Sequence, residues 1–201
     1  MNKVGISLGW NCHSACWGAG IGIRATKENG YLTCPFDLMV SNYTGIIDCL
    51  NDDFKYLCDE QYLEMQSPNP NESEIYNTKY NFVFVHESPG VANLYITENW
   101  PEGINHFINN NYANLKKRYE KRVANFRNYL KSPDTFITFI LTTWNKTQED
   151  ITPLKEAIEK YYPNLQYSVL LINDPKGKDY LLRHLKGMRL SDEDPEVKRL
   201  L

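Results

Sequence analysis

The sequence predicts an α/β fold, a mainly parallel sheet flanked by helices in one domain over residues 1–201, and three observations predict it. Phe82-Val83-Phe84-Val85, the run from Phe136 to Leu141, and Val169 to Ile172 are nearly continuous in apolar residues, as in strands covered on both faces. Segments with helical period separate the later runs. A length of 201 residues also suits a single hydrophobic core that needs no disulfide or metal to hold it.

Taken in order, the chain opens with a strand over 3–8 and a turn at Gly9-Trp10-Asn11-Cys12. A helix is expected from about Ser14, weakened by Gly18, Gly20 and Gly22. Pro35-Phe36-Asp37 marks a turn, and Ser41 or Asn42 can cap a helix over 45–50. Residues 66–78, rich in Pro, Asn, Ser and Glu, suggest an exposed loop. A second strand is expected over 81–85, parallel to the first. Tyr112, Leu115, Tyr119, Val123, Phe126 and Leu130 then recur at steps of three and four, the stripe of a long amphipathic helix. A strand over 135–142 follows. The next helix has Thr152 as its cap and Pro153 in its first turn, and buries Leu154, Ala157, Ile158 and Tyr161 before Pro163. A last strand over 167–172, a helix over 179–186 and a polar tail over about 191–201 complete the expectation.

Composition narrows the function. A net charge of -3 gives no electrostatic case for nucleic acid or an anionic membrane. The first ten residues lack the pattern of a secretory signal and no apolar stretch reaches membrane-spanning length, so a cytoplasmic location is expected. Cysteines at 12, 16, 34, 49 and 58 are odd in number and poorly spaced for a disulfide framework, and are read as thiols. Gly18, Gly20 and Gly22 form no nucleotide-binding fingerprint. Cys12, His13, Cys16 and Cys34 lack zinc-site spacing, so neither cofactor nor metal is expected.

Chemistry is expected where the first strand turns into a helix, because strand carboxyl ends and unpaired helix-start amides converge there. Cys12 occupies that place, and a helix start favours its thiolate and lowers its pKa. A small buried hydrophobe is the alternative for any free cysteine. The base that a thiol nucleophile needs is assigned to His86 at the end of the 81–85 strand, on the same rim as Cys12 if the strands are parallel. Asp37, in its rigid turn, is the leading choice to orient the imidazole, with Glu87 as an alternative. Asn11 and the amides around Gly9 are candidate oxyanion or substrate donors. Arg122, on the flank of the helical stripe, either reaches the rim to hold an anionic group or simply snorkels.

Ile6-Ser7-Leu8-Gly9-Trp10-Asn11-Cys12, Cys34-Pro35-Phe36-Asp37 and Phe84-Val85-His86-Glu87, in that order, resemble a little-characterised family named for a proposed papain-like cysteine peptidase activity. Its members carry a Ser-Leu-Gly-x-x-Cys start, a Pro-Phe-Asp-Trp turn and a His-Asp pair; Leu38 and Glu87 depart from that pattern. The resemblance implies a Cys-His thiol hydrolase. It also implies an α+β papain-like arrangement, in which the cysteine opens a helix and the histidine comes from an antiparallel sheet, as the alternative to the parallel sheet that periodicity predicts.

Two functions follow. One is a cysteine-dependent hydrolase or acyl transferase using Cys12, His86 and Asp37, with Asn11 and Gly9 at the oxyanion. The other is a domain that binds an anionic small molecule, a nucleotide or sugar phosphate, through the Gly9 loop and Arg122 without a covalent step. The substrate is accordingly a peptide or an anionic small molecule, with no nucleic acid or membrane partner. A third possibility is an interaction module built on the 14 tyrosines and 4 tryptophans.

Overall fold

The computed structural model describes residues 1–69, 72–89, 100–143 and 146–174. The helix and tail expected beyond residue 178 lie outside the described residues. The elements are β1 (Asn2–Gly9), α1 (Cys12–Gly20), α2 (Tyr43–Asn51), β2 (Leu63–Asn69), β3 (Glu72–Asn77), β4 (Phe82–Val83), α3 (Asn109–Lys131), β5 (Thr135–Thr143), α4 (Thr152–Glu159) and β6 (Gln166–Asn173). They form one α/β domain with a parallel sheet ordered β1-β5-β6 and an antiparallel sheet ordered β2-β3-β4.

The parallel sheet arises where apolar runs demanded cover on both faces. Ile6 pairs with Phe139 and Phe139 with Val169 across the three strands, and all three are buried. The long helix covers this sheet with the predicted stripe: Leu115, Tyr119, Val123, Phe126 and Leu130 are buried. Phe126 is the hinge of the aromatic core, with ring centroids 5.4 Å from Phe54, 6.4 Å from Phe36 and 6.3 Å from Phe139. Tyr112, the first residue of the stripe, adopts a left-handed conformation with Asn110 and Asn111 (φ 60, 53 and 53), so it belongs to the turn that launches the regular helix. Among the described residues no helix is long and apolar enough to cross a membrane.

Two sequence expectations are corrected in the second sheet. The run over 81–85 is not a strand of the parallel sheet. Only Phe82 and Val83 are extended, paired antiparallel to β3, and Val83 also bridges Val40. A continuous apolar run reports burial on both faces but not the sheet that supplies the neighbours. Residues 66–78, expected as an exposed loop, carry most of the β2–β3 pairing, with Gln66 opposite Glu74 and Met65 opposite Ile75. Polar composition misleads there because β2 is an edge strand with Glu64 and Met65 exposed, while buried Asn77 is satisfied by its own bonds. Its Nδ2 donates to the carbonyls of Tyr56 (2.8 Å) and Leu57 (3.1 Å), and its Oδ1 accepts from Tyr80 N (2.8 Å).

Caps resolve in detail. Asn42, rather than Ser41, caps α2: Oδ1 accepts from Gly45 N at 2.7 Å, and Nδ2 donates to Tyr80 O and Asn81 O at 2.8 and 3.0 Å. Thr152 is the first helical residue of α4 and not its cap, a place taken by Ile151; Leu154, Ala157 and Ile158 are buried as expected, but Tyr161 is exposed.

Candidate functional site

At the carboxyl end of β1 the chain must leave the sheet and start a helix within three residues. Gly9 makes the turn at φ +98, and a Cβ there would stand 1.9 Å from Ser41 Oγ, so both backbone and space require glycine. Asn11 is the N-cap of α1, its Oδ1 accepting from His13 N at 2.6 Å. Cys12 is therefore the first residue of the helix, and it is half-buried.

Three hydroxyl residues tie this loop down. Ser14 Oγ donates to Gly9 O, shares a hydrogen bond with Thr142 Oγ1 and accepts from Thr142 N at 3.2 Å, which locks the first turn of α1 to the end of β5. Ser41 N donates to Trp10 O at 2.6 Å and Ser41 Oγ to Leu8 O at 3.4 Å. Backbone position at Cys12 is thus set by neighbours in α1, in β5 and in the loop before α2.

Its ionisation departs from the sequence expectation. Burial pushes the Cys12 thiol up and the neighbouring Cys16 adds to the rise, while its own backbone amide pulls it down. The helix start does not win against these two effects.

The other sequence candidates occupy a buried layer of ion pairs. Asp37 is fully buried and takes Arg24 Nη2 at 3.2 Å, the Cys34 amide at 2.7 Å and the Tyr31 hydroxyl at 3.4 Å. Burial pushes its carboxyl up, against the pull of Arg24 and the Cys34 amide. Arg24 also lies 3.9 Å over the Tyr31 ring, which stacks on Tyr129. Glu87, equally buried, places Oε1 2.9 Å from Arg122 Nη2 and 3.0 Å from Arg118 Nε as ion pairs, and its Oε2 accepts from Tyr119 OH at 3.3 Å. Arg122, 5% exposed in its side chain, sits within electrostatic reach of both Glu87 and Asp37 and so links the two acids.

These bonds fix two of the candidate residues. The described bonds of Asp37 hold Arg24 and close its own 3-10 turn as a capping box with Cys34. Arg122 does not snorkel: its buried guanidinium pairs with Glu87 and lies 4.6 Å over the Tyr119 ring.

His86 lies in a 3-10 turn, Val85–Glu87, directly after β4. The antiparallel Val40–Val83 bridge means that residues after Val83 run alongside the chain toward Asp37, away from Ser41 and the Trp10 carbonyl it holds. The two sites do not emerge on one parallel rim as expected. Among the described contacts none joins Cys12 to an imidazole. The placement still matches the papain-like alternative in two respects: the cysteine opens a helix, and the histidine follows a strand of an antiparallel sheet.

Sequence reasoning missed the partners that fill this layer, Arg24, Arg118 and Tyr119. Arg118 and Arg122 at i and i+4 flanking Tyr119 were the available signal, since that spacing presents two guanidinium groups to one acid. It also missed a cleft of about 560 Å³ between residues 53–60 and α3, floored by Phe54, Leu57, Cys58, Tyr119 and Val123. Ion pairs strap its walls together, Lys116 to Glu60 at 2.7 Å and Arg127 to Asp53 at 2.8 Å. The cleft is the largest of the described cavities, yet its lining includes none of Gly9, Asn11, Cys12 or His86. Position at a strand end, not cavity size, therefore marks the rim as the candidate site.

No curated protein and no solved structure matches the chain. Its Ser-Leu-Gly segment, its Pro-Phe-Asp turn and its His-Glu pair all fall inside residues 3–177, the stretch matched by a family model, and on that match the chain belongs to the family described as "Putative papain-like cysteine peptidase (DUF1796)".

Proposed function

We propose that this protein is a thiol-dependent hydrolase or acyl transferase whose nucleophile is Cys12. The observation that carries the reading is the placement of Cys12 as the half-exposed first residue of α1, at the carboxyl end of β1, on a loop held by Ser14, Ser41 and Thr142. Family membership supports the coarse hydrolase class.

In this mechanism Cys12 Sγ attacks a substrate carbonyl and forms a tetrahedral intermediate. First-turn amides of α1, with Asn11 Nδ2, donate to its oxygen; the Oδ1 of Asn11 is already committed to the cap, which fixes the side chain. Gly9 lets the loop pack against Ser41, since any side chain there would collide with it. His86 takes the thiol proton and returns it to the leaving group, which requires the imidazole to reach Cys12 in the substrate complex. Because burial and Cys16 favour the neutral thiol, the attack needs a base to take its proton. Asp37 and Glu87 contribute by holding the frame. The commitment of Arg122 to Glu87 weighs against the alternative in which Arg122 grips an anionic ligand at the Gly9 loop.

The test is hydrolysis of an activated thioester by wild type, Cys12→Ala and His86→Ala. Loss of turnover in both variants, with the fold retained by circular dichroism, is expected. Turnover that survives Cys12→Ala sinks the reading, and loss in Cys12→Ala alone moves the base to another group.

A further inference from the structure

Cys12 and Cys16 stand one helical turn apart on α1, so both side chains share a face of the helix. Cys12 is half-buried and Cys16 exposed, whereas Cys34 and Cys49 are sealed in the core. Cβ atoms at this spacing lie roughly 5–6 Å apart, and two metal–sulfur bonds of about 2.3 Å each span such a gap.

Donor number decides which ion suits them. Among the described residues no third histidine, cysteine, aspartate or glutamate joins the pair, so it lacks the four-ligand set of a structural zinc site. Two soft thiolates alone favour a soft ion of low coordination number, and soft sulfur donors select Cu(I) over harder cations. A bis-thiolate Cu(I) unit carries one net negative charge. At the start of α1 that charge meets the positive end of the helix dipole, and the first turn contains no acidic side chain to oppose it.

We propose that Cys12 and Cys16 form a two-coordinate binding site for Cu(I). Ligation involves no redox change: each thiol releases its proton to solvent, two S–Cu bonds replace two S–H bonds, and copper remains Cu(I). An occupied site removes Cys12 as a nucleophile, so Cu(I) inhibits the hydrolase proposed above. Binding itself does not rest on that reading.

The test is an anaerobic titration of the reduced full chain with Cu(I) in competition with a chromogenic chelator, followed by X-ray absorption at the copper edge. Wild type and Cys58→Ser are expected to withdraw one equivalent of copper bound by two sulfurs, and Cys16→Ser to lose that equivalent while keeping its circular dichroism spectrum. Copper left entirely with the chelator, uptake by Cys16→Ser equal to wild type, or loss of uptake in Cys58→Ser overturns the site. A hydrolase that fails its own test leaves this titration unaffected.

Discussion

The loop from Gly9 to Ser14 and the layer formed by Arg24, Asp37, Glu87, Arg118 and Arg122 both grow from short polar motifs, but they differ in what surrounds them. The loop leaves a thiol half-exposed and a cap side chain with a donor to spare. In the layer, both carboxylates are fully buried and each is met by arginine and a hydroxyl. A buried acid paired with arginine holds elements together, whereas a side chain with an open valence at a strand end is available for chemistry. Residues of one motif set can therefore divide between frame and reaction.

Breaking the layer is expected to cost the most stability. Asp37→Ala strands Arg24 and the Cys34 amide, and a loss of about 3–5 kcal/mol is expected in denaturant unfolding, the scale for removing one partner of a buried pair. The double replacement Asp37→Leu with Arg24→Met is expected to recover most of it, because no buried charge is left alone. A loss below about 1 kcal/mol for Asp37→Ala, the scale of an exposed pair, would move Asp37 from the frame back among the catalytic candidates.

Gly9→Ala comes next. Positive φ and the contact with Ser41 predict a loss of about 1–3 kcal/mol. Gly20→Ala, whose added Cβ meets nothing within 4 Å, serves as its control and is expected to be neutral or slightly stabilising. Asn11→Ala removes the α1 cap, about 1 kcal/mol by unfolding, and is expected to depress turnover beyond that because the oxyanion donor leaves with it. Cys12→Ser is the smallest in stability, within about 0.5 kcal/mol of wild type, yet turnover should vanish. Equal stability losses at Cys12 and Asp37 would erase the distinction between loop and layer.

The sequence made the parallel sheet legible through the local apolar runs of β5 and β6 and the short strand of β1, although a third apolar run, 82–85, belongs to the antiparallel sheet. The stripe from Leu115 to Leu130 was legible for the same reason. The antiparallel sheet was hidden, since β2 and β3 place Glu, Ser and Asn in strands and satisfy the buried ones through partners distant in sequence, such as Tyr56 and Leu57 for Asn77. The position of Cys12 followed from a local turn and could be placed. The contacts of Asp37, Glu87 and Arg122 could not, because a charged residue's role depends on whichever element brings its counter-ion, and here α3 reaches across more than thirty residues to meet Glu87.

The most direct test of the division between loop and layer is peptide mapping by mass spectrometry after brief exposure of the native protein to an activated acyl ester. A stoichiometric acyl group on Cys12, absent from Cys34, Cys49 and Cys58, is the predicted result. An unmodified Cys12 beside an acylated Cys58, or no acylated cysteine at all, would contradict it.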